Sequence, residues 1–138
     1  MPDNLSPEDR RKTMRAVKGT DTSLERVVHA AFAARGWDCG RNVADLPGKP
    51  DFVFAAARLV VFVDGDFWHG WRFPLWREKL TEYWKWKIER NRRRDLRHFR
   101  RLRRLGWRVL RLWEHQVARD LPGAVRRVAA LLRRKPRA

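Results

Sequence analysis

The chain contains little cysteine, no long apolar run and few acidic residues. Its one cysteine, Cys39, excludes an internal disulfide and a zinc site built from several cysteines. The longest uninterrupted apolar stretch, residues 52–57, is far shorter than the roughly 20 residues that cross a bilayer. The N-terminus has no basic segment followed by an apolar run, so we expect no signal peptide and no membrane partner. These features predict a cytoplasmic protein.

Basic residues are what the chain has in excess. It carries 33 Lys and Arg against 16 Asp and Glu, a formal net charge of +17. A domain this basic is expected to bind a polyanion, because its side chains displace the counterions that surround phosphates. We therefore predict a nucleic-acid partner; a very soluble surface or a ribosome-associated protein is the alternative. With 138 residues, of which 43% are hydrophobic, the length favours one domain over 1–138.

The pattern of apolar residues and breakers predicts an α/β fold, with a small mixed sheet flanked by helices. The predicted helices cover 6–17, 22–35, 76–105, 114–119 and a last segment from residue 122. The predicted strands cover 37–41, 51–54, 59–63 and 107–113. The strand at 59–63 shows no polar alternation, so it should be central and covered on both faces. Residues 1–20 would form a helical arm, and residues 133–138 a frayed basic tail.

Acidic residues stand at the ends of two predicted strands. Asp51 follows Pro50 at the start of one strand, and Asp64 and Asp66 follow the next. Carboxylate and carbonyl oxygens are the ligands that a hard cation such as magnesium prefers. The alternative for Asp51 is that it only closes a turn, as aspartate often does.

Two further carboxylates flank apolar faces of predicted helices. Asp95 and Asn91 interrupt the apolar stripe of the long helix. A buried carboxylate without a partner is costly, so Asp95 should pair with a cation, a histidine or a metal-bound water. Glu25 precedes the apolar face formed by Val28 and Phe32, and its alternative role is a favourable charge at the start of a helix.

Several separated motifs resemble one nuclease family. Pro50-Asp51, an apolar strand and a second acidic strand end resemble the PD-(D/E)xK nucleases. More specifically, the chain resembles the very short patch repair (Vsr) endonucleases over about residues 10–117. The motifs that carry this resemblance are Met14-Arg-Ala-Val17, Asp21-Thr-Ser-Leu-Glu25, Pro47-Gly-Lys-Pro-Asp-Phe-Val53, Phe62-Val-Asp-Gly-Asp-Phe-Trp-His-Gly70, Tyr83-Trp84 and Leu105-Gly-Trp-Arg-Val-Leu-Arg-Leu-Trp-Glu114.

The resemblance implies a restriction-endonuclease-like three-layer core and a magnesium-dependent endonuclease. Such an enzyme nicks double-stranded DNA 5′ of the thymine at thymine–guanine mismatches, with one or two Mg²⁺ ions. The implied catalytic residues are Asp51, His69, Asp64, Glu25 and Asp95, with His69 activating water and Asp95 supporting it. The implied metal ligands are Asp51, the backbone carbonyl of Val63, and Asp64. The implied DNA contacts are Phe67, Trp68 and Trp84, with Arg15 in the matching N-terminal motif. Lys49 is a further candidate for contact with phosphate, because it neighbours Asp51.

The aromatic residues among these contacts suit a mismatch. An aromatic wedge kinks DNA at a cost of roughly a few kcal/mol per step, and the cost falls where stacking is already weak. Core packing is the alternative for Phe67 and Trp68. Many arginines surround the long helix; a solvated face is their ordinary role, although some are expected to contact phosphate.

The chain departs from the family at its structural zinc. Asp66, Trp71 and His115 stand where three cysteine ligands are usual. We therefore expect no structural zinc, and expect Trp71, Phe73 and Trp76 to pack in its place. Asp66, His69 and His115 are weak zinc candidates, which leaves open whether His69 is a base or a former zinc ligand.

Two other functions stay open at this point. The chain could be a Vsr-like nuclease for another DNA lesion or structure, or a non-catalytic DNA-binding module. We expect a monomer associated with the bacterial nucleoid. Whether mismatch-repair factors are partners stays open.

Overall fold

The computed structural model describes residues 22–134. The predicted N-terminal arm, and Arg15 within it, lie outside the described residues. Of the predicted tail only Arg133 and Arg134 are described, and Arg133 still belongs to the final helix. The elements are α1 (Ser23–Ala34), β1 (Gly40–Arg41), β2 (Phe52–Phe54), β3 (Leu59–Asp64), α2 (Phe73–Trp76), a 3-10 turn (Arg77–Lys79), α3 (Glu82–Arg104), β4 (Arg108–Trp113), α4 (Glu114–Arg119) and α5 (Leu121–Arg133).

Helix α1 begins where the sequence predicts a helix start. Thr22 is its N-cap, and the Thr22 hydroxyl oxygen accepts a hydrogen bond from the amide of Glu25 at 3.3 Å. Val28 and Phe32 are fully buried, one turn apart, on the face that packs against the sheet. The cap fixes the first turn of α1 and, with it, the position of Glu25.

The four strands form one mixed sheet in the order β1-β2-β3-β4. Strand β2 is antiparallel to β1 and β3, whereas β3 is parallel to β4. The sequence predicted a first strand over 37–41, but only Gly40 and Arg41 pair. Their partner β2 is only three residues long, which limits how far β1 can extend.

Strand β3 is central, as predicted, and all six of its residues are buried. Leu59, Val61 and Val63 join the core formed with α1, β4 and α5. Val60 and Phe62 point to the other face and join the core formed with α3. Both faces of the strand are covered, which accounts for its continuous apolar sequence.

The prediction of a single helix over 76–105 is wrong at its start. Helix α2 ends before a 3-10 turn, and Leu80 then adopts an extended conformation, with φ −99° and ψ 155°. The Leu80 side chain is buried among aromatic residues, and this contact turns the chain before α3 begins. Helix α3 then ends before Gly106, whose φ of 93° is readily adopted by glycine, as the sequence predicted.

This topology brings several chain segments to one edge of the sheet. Strands β3 and β4 run parallel and end together, with Asp64 paired to Trp113. Strand β2 runs the opposite way, so Asp51, just before it, lies at the same edge. No helix between residues 22 and 134 combines the length and the apolar character needed to cross a lipid bilayer.

Candidate active site

The half-buried carboxyl group of Asp51 and the buried carboxyl group of Glu25 lie where β2 begins. The Asp51 carboxylate oxygen Oδ2 accepts a hydrogen bond from the Val63 amide at 2.6 Å. Glu25, only 5% exposed, reaches across from α1 and shares a side-chain hydrogen bond with Asp51. The two acids are therefore neighbours, although 26 residues separate them in sequence.

Burial makes the Asp51 carboxyl group hard to ionise. It raises the pKa of Asp51 to about 8, against the lowering effect of the Val63 amide. The negative charges of Glu25 and Asp64 raise this pKa further. A cation at this place would favour ionisation, because an opposite charge stabilises the carboxylate. The oxygens of Asp51 and Glu25 thus suit a hard divalent cation.

The Val63 carbonyl, the other metal ligand predicted here, lies on the Asp51 side of β3. In an extended strand the N–H and C=O of one residue point to the same side. Since the Val63 N–H points at Asp51, the Val63 carbonyl is directed toward the same side of β3. Lys49, predicted to contact phosphate, is exposed two residues before Asp51 in the loop that leads to the site.

A second group surrounds His69. Its Nδ1 lies 2.6 Å from Asp95 Oδ2, and its Nε2 lies 3.5 Å from Asp64 Oδ1. Asp64 ends β3, Asp95 comes from the middle of α3, and the His69 amide donates to the carbonyl of Gly65. The Asp95–His69 pair predicted from the sequence is therefore present.

Arg111 joins the two aspartates of this group. Its Nε donates to Asp64 Oδ2, and its Nη2 donates to Asp95 Oδ2, both at 2.7 Å. The guanidinium lies 4.1 Å from the ring centre of Trp113 and 5.1 Å from that of Phe99. Arg111 was not predicted as a site residue. Strand parity could have found it: Leu110 and Leu112 face one core, so the residue between them faces α3.

The two aspartates differ in their electrostatics. Burial raises the pKa of Asp64, although the charges of His69 and Arg111 oppose this. Burial also acts to raise the pKa of Asp95, but the hydrogen bond from His69 and the charges of His69 and Arg111 outweigh it and lower the pKa. Asp95 is therefore an ionised acceptor, so His69 donates through Nδ1 and keeps Nε2 as the nitrogen that can accept a proton.

The loop that carries His69 is anchored to α3 by Asn91. The Asn91 side-chain amide donates to the carbonyl of Trp68 at 2.9 Å. Asn91 and Asp95 lie one turn apart, so one helix face holds both the backbone and the side chain of the loop. The two polar residues that interrupt the apolar stripe of α3 therefore have partners at the site.

A largely aromatic cluster, called the aromatic cluster, includes the tryptophan of this loop. Its buried members are Trp68, Phe73, Trp76, Leu80, Trp84 and Ile88, with Phe67 partly buried against them. Trp68 and Trp84, predicted as DNA contacts, are only 7% and 8% exposed. In the free protein Trp68 follows its core-packing alternative, and its ring packs edge to face against that of Trp84, 5.4 Å away. Phe67 is the more accessible of the three predicted aromatic contacts.

The three positions that usually hold zinc-binding cysteines contact one another. Asp66 Oδ1 lies 2.9 Å from His115 Nδ1. The Trp71 ring lies 4.0 Å from the His115 ring, centre to centre. His69 is turned toward Asp95 instead. Of the other residues expected to pack there, Phe73 and Trp76 lie in the aromatic cluster, and Trp76 donates to the Trp71 carbonyl at 2.9 Å.

A mixed sheet flanked by helices, with buried acids and a histidine at one edge, is the arrangement of a restriction-endonuclease-like nuclease. Within residues 22–134, the one group of three or more ligating side chains close enough to hold a metal ion is Asp64, His69 and Asp95, whose ligand atoms lie within 4.8 Å of one another. The fold and the site together define a nuclease with room for metal-ion chemistry.

Comparison with known proteins defines the family. The family model described as DNA mismatch endonuclease Vsr matches residues 2–74. Type II nicking enzyme V.NmeDIP of Neisseria meningitidis serogroup C is 38% identical over 136 residues, covering 96% of this chain and 92% of that enzyme. DNA mismatch endonuclease Vsr of Escherichia coli is 41% identical over 107 residues, covering 76% and 69%. The chain belongs to the Vsr DNA mismatch endonuclease family and is a DNA endonuclease.

Proposed function

We propose that this enzyme uses magnesium to nick duplex DNA on the 5′ side of the thymine in a thymine–guanine mismatch. The observation that carries the proposal is the meeting of two groups at one sheet edge: the Asp51–Glu25 carboxyl pair and the His69–Asp95 pair. The Escherichia coli relative is a DNA mismatch endonuclease, which supports the choice of substrate.

Asp51 and the Val63 carbonyl would hold the magnesium ion, with Glu25 beside them. Magnesium there would neutralise the charge that grows on the scissile phosphate during attack. His69 would accept the proton of the attacking water at Nε2, while Asp95 holds the ring through Nδ1 and stabilises the charge that His69 gains. Asp64, also predicted as a metal ligand, is engaged with Arg111 and His69.

DNA contact would involve Phe67, Lys49 and part of the basic surface. Phe67 is partly buried and stacks on Trp76 with an angle of 20° between the rings. A wedge role for Phe67 therefore needs less rearrangement than one for Trp68 or Trp84. Insertion beside a mismatch would be favoured because stacking is already weak there.

The test measures nicking of end-labelled duplexes that differ only in one base pair, thymine–guanine or matched, with Mg²⁺ or with EDTA. We expect nicking of the mismatched duplex with Mg²⁺ and none with EDTA. Asp51→Asn should keep affinity for the mismatched duplex and lose at least about 10³-fold in cleavage, since the metal contributes several kcal/mol.

Asp45→Asn is the matched control, because Asp45 is an exposed aspartate in the same loop. It should cleave like the unaltered protein. Equal nicking of matched and mismatched duplexes would overturn the mismatch assignment but leave a nuclease for another DNA structure. Binding without cleavage in Mg²⁺ would identify a non-catalytic DNA-binding module. Full activity of Asp51→Asn would contradict the metal site.

A further inference from the structure

The group formed by Asp64, His69 and Asp95 has the dimensions of a metal site, yet it already contains a cation. The ligand atoms of these three residues lie within 4.8 Å of one another. The Arg111 guanidinium donates one hydrogen bond to each aspartate at 2.7 Å. The charge that two neighbouring buried carboxylates require is therefore supplied by the chain itself.

Arg111 is built into this position. Its side chain is 18% exposed, and both aspartate side chains are 9% exposed. The rings of Trp113 and Phe99 lie against the guanidinium, which restricts its orientation. A guanidinium keeps its charge at any accessible pH, so this charge is permanent.

A divalent cation would meet two obstacles here. It would have to displace hydrogen bonds between charged groups, which are about twice as strong as neutral ones. It would also approach a fixed positive charge in a buried place, where like charges repel more strongly than in water. Asp51 accepts a hydrogen bond from the Val63 amide and shares one with the Glu25 carboxyl group, so a cation that reaches Asp51 displaces no guanidinium bond from it among residues 22–134.

We propose that Arg111 is the resident cation of the Asp64–His69–Asp95 group, so that this group positions His69 and takes no metal ion. Of the expected one or two ions, none then binds to this group, and the divalent ion of the enzyme binds through Asp51 and the Val63 carbonyl. The assignment of that ion to Asp51 rests on the proposed function, whereas the role of Arg111 does not. Arg111 is a positioning residue, since it acts through the two aspartates that hold His69.

The test counts Mn²⁺ ions bound to the metal-depleted full chain, by electron paramagnetic resonance of free Mn²⁺ during titration. We expect one ion for the unaltered protein and for Asp64→Asn, and loss of that ion in Asp51→Asn. Arg111→Gln removes the charge and should admit a second ion. Arg111→Lys keeps the charge and should bind one ion only.

The variants also separate positioning from a purely structural role. Single-turnover nicking by Arg111→Gln should fall roughly 10- to 100-fold with an unchanged KM for DNA, as is typical when a residue that orients a catalytic group is lost. Arg111→Lys should recover part of that loss. Circular dichroism checks that each variant is folded, and Asp64→Asn with Arg111→Lys still decides the question if Arg111→Gln does not fold.

Two ions on the unaltered protein, or loss of the ion in Asp64→Asn, would overturn the proposal. So would a folded Arg111→Gln protein that still binds a single ion. If instead one ion is retained in both Asp51→Asn and Asp64→Asn, the metal assignment of the proposed function fails, while the exclusion of metal by Arg111 stands.

Discussion

Two groups of buried acids share one edge of the sheet and differ in what balances their charge. Asp64 and Asp95 have Arg111 between them and His69 beside them. Among residues 22–134, Asp51 contacts the Val63 amide and the Glu25 carboxyl group. A carboxylate near a fixed cation ionises readily, whereas one buried beside another acid resists ionisation until a cation arrives.

This difference suits the two neighbouring groups to different roles in hydrolysis. Arg111, Asp64, Asp95 and His69 form one group, called the Arg111 group. In it a cation lies between the two acids, which suits the group to hold a base in one orientation. Among residues 22–134 no guanidinium contacts the Asp51 carboxyl group, and its oxygens suit binding an ion from solution. The lowered pKa of Asp95 and the raised pKa of Asp51 express the same contrast. Changing the Arg111 group should therefore affect proton transfer, whereas changing the Asp51 group should affect metal binding and stability.

Among changes to the Arg111 group, the largest effect should come from removing the base. His69→Ala should slow single-turnover nicking of a mismatched duplex by roughly 10²- to 10⁴-fold, the usual contribution of a general base. Affinity for uncleaved duplex in EDTA and Mn²⁺ binding should stay unchanged, because His69 belongs to the group that already has its cation. A His69→Ala protein that cleaves normally, or that loses Mn²⁺, would break the division between the two groups.

A smaller effect is expected when the base is kept and its support is weakened. Asp95→Asn retains an acceptor for His69 Nδ1 but removes the negative charge that stabilises protonated His69. We expect nicking to fall roughly 10- to 100-fold, as for other residues that orient a catalytic group. Single-turnover rates measure this, with the exposed Asp38→Asn as the matched control. A loss confined to Mn²⁺ affinity would show that Asp95 belongs with the metal instead.

The sequence was sufficient for the sheet and for the acids at its edge. The continuous apolar residues of β3 predicted a central strand, and Asp95 was singled out because it interrupts an apolar stripe on a helix. Such signals are local, because they need only the period of the element and the cost of burying a charge. Burial alone left a cation, a histidine or a metal-bound water as the partner of Asp95, and the choice of His69 came from the resemblance to the Vsr endonucleases.

Side-chain packing between distant segments could not be predicted in the same way. Trp68 and Trp84 have the same residue type whether they pack together or contact DNA, and only the fold shows that they pack. Arg111 looked like one more arginine in a very basic chain, since its partners lie 47 and 16 residues away. The sharp turn at Leu80 likewise depends on a tertiary contact that overrides helix propensity.

The smallest effect, and the most direct test of the Asp51 group, concerns stability without metal. The pKa of Asp51 is raised to about 8 in the folded protein. Between the ordinary pKa of an aspartate and pH 8, Asp51 is therefore protonated in the folded protein and ionised in the unfolded chain. The metal-free protein should therefore lose stability as pH rises from about 4 to 8, by at most about 1.4 kcal/mol per pH unit from this group. Asn cannot ionise but can still accept from the Val63 amide, so Asp51→Asn should be more stable at pH 7.5, by roughly 1–3 kcal/mol.

Urea unfolding in EDTA at pH 5.5 and pH 7.5 measures this difference, with Asp45→Asn as control. The stability gained by Asp51→Asn should be larger at pH 7.5 than at pH 5.5, because the unaltered protein loses stability as the pH rises between these values. Added Mg²⁺ should stabilise the unaltered protein and not Asp51→Asn, since only an ionised Asp51 offers the ion its ligand. Equal stability of the two proteins at both pH values would mean that Asp51 is already balanced by a charge, and the contrast with the Arg111 group would be lost.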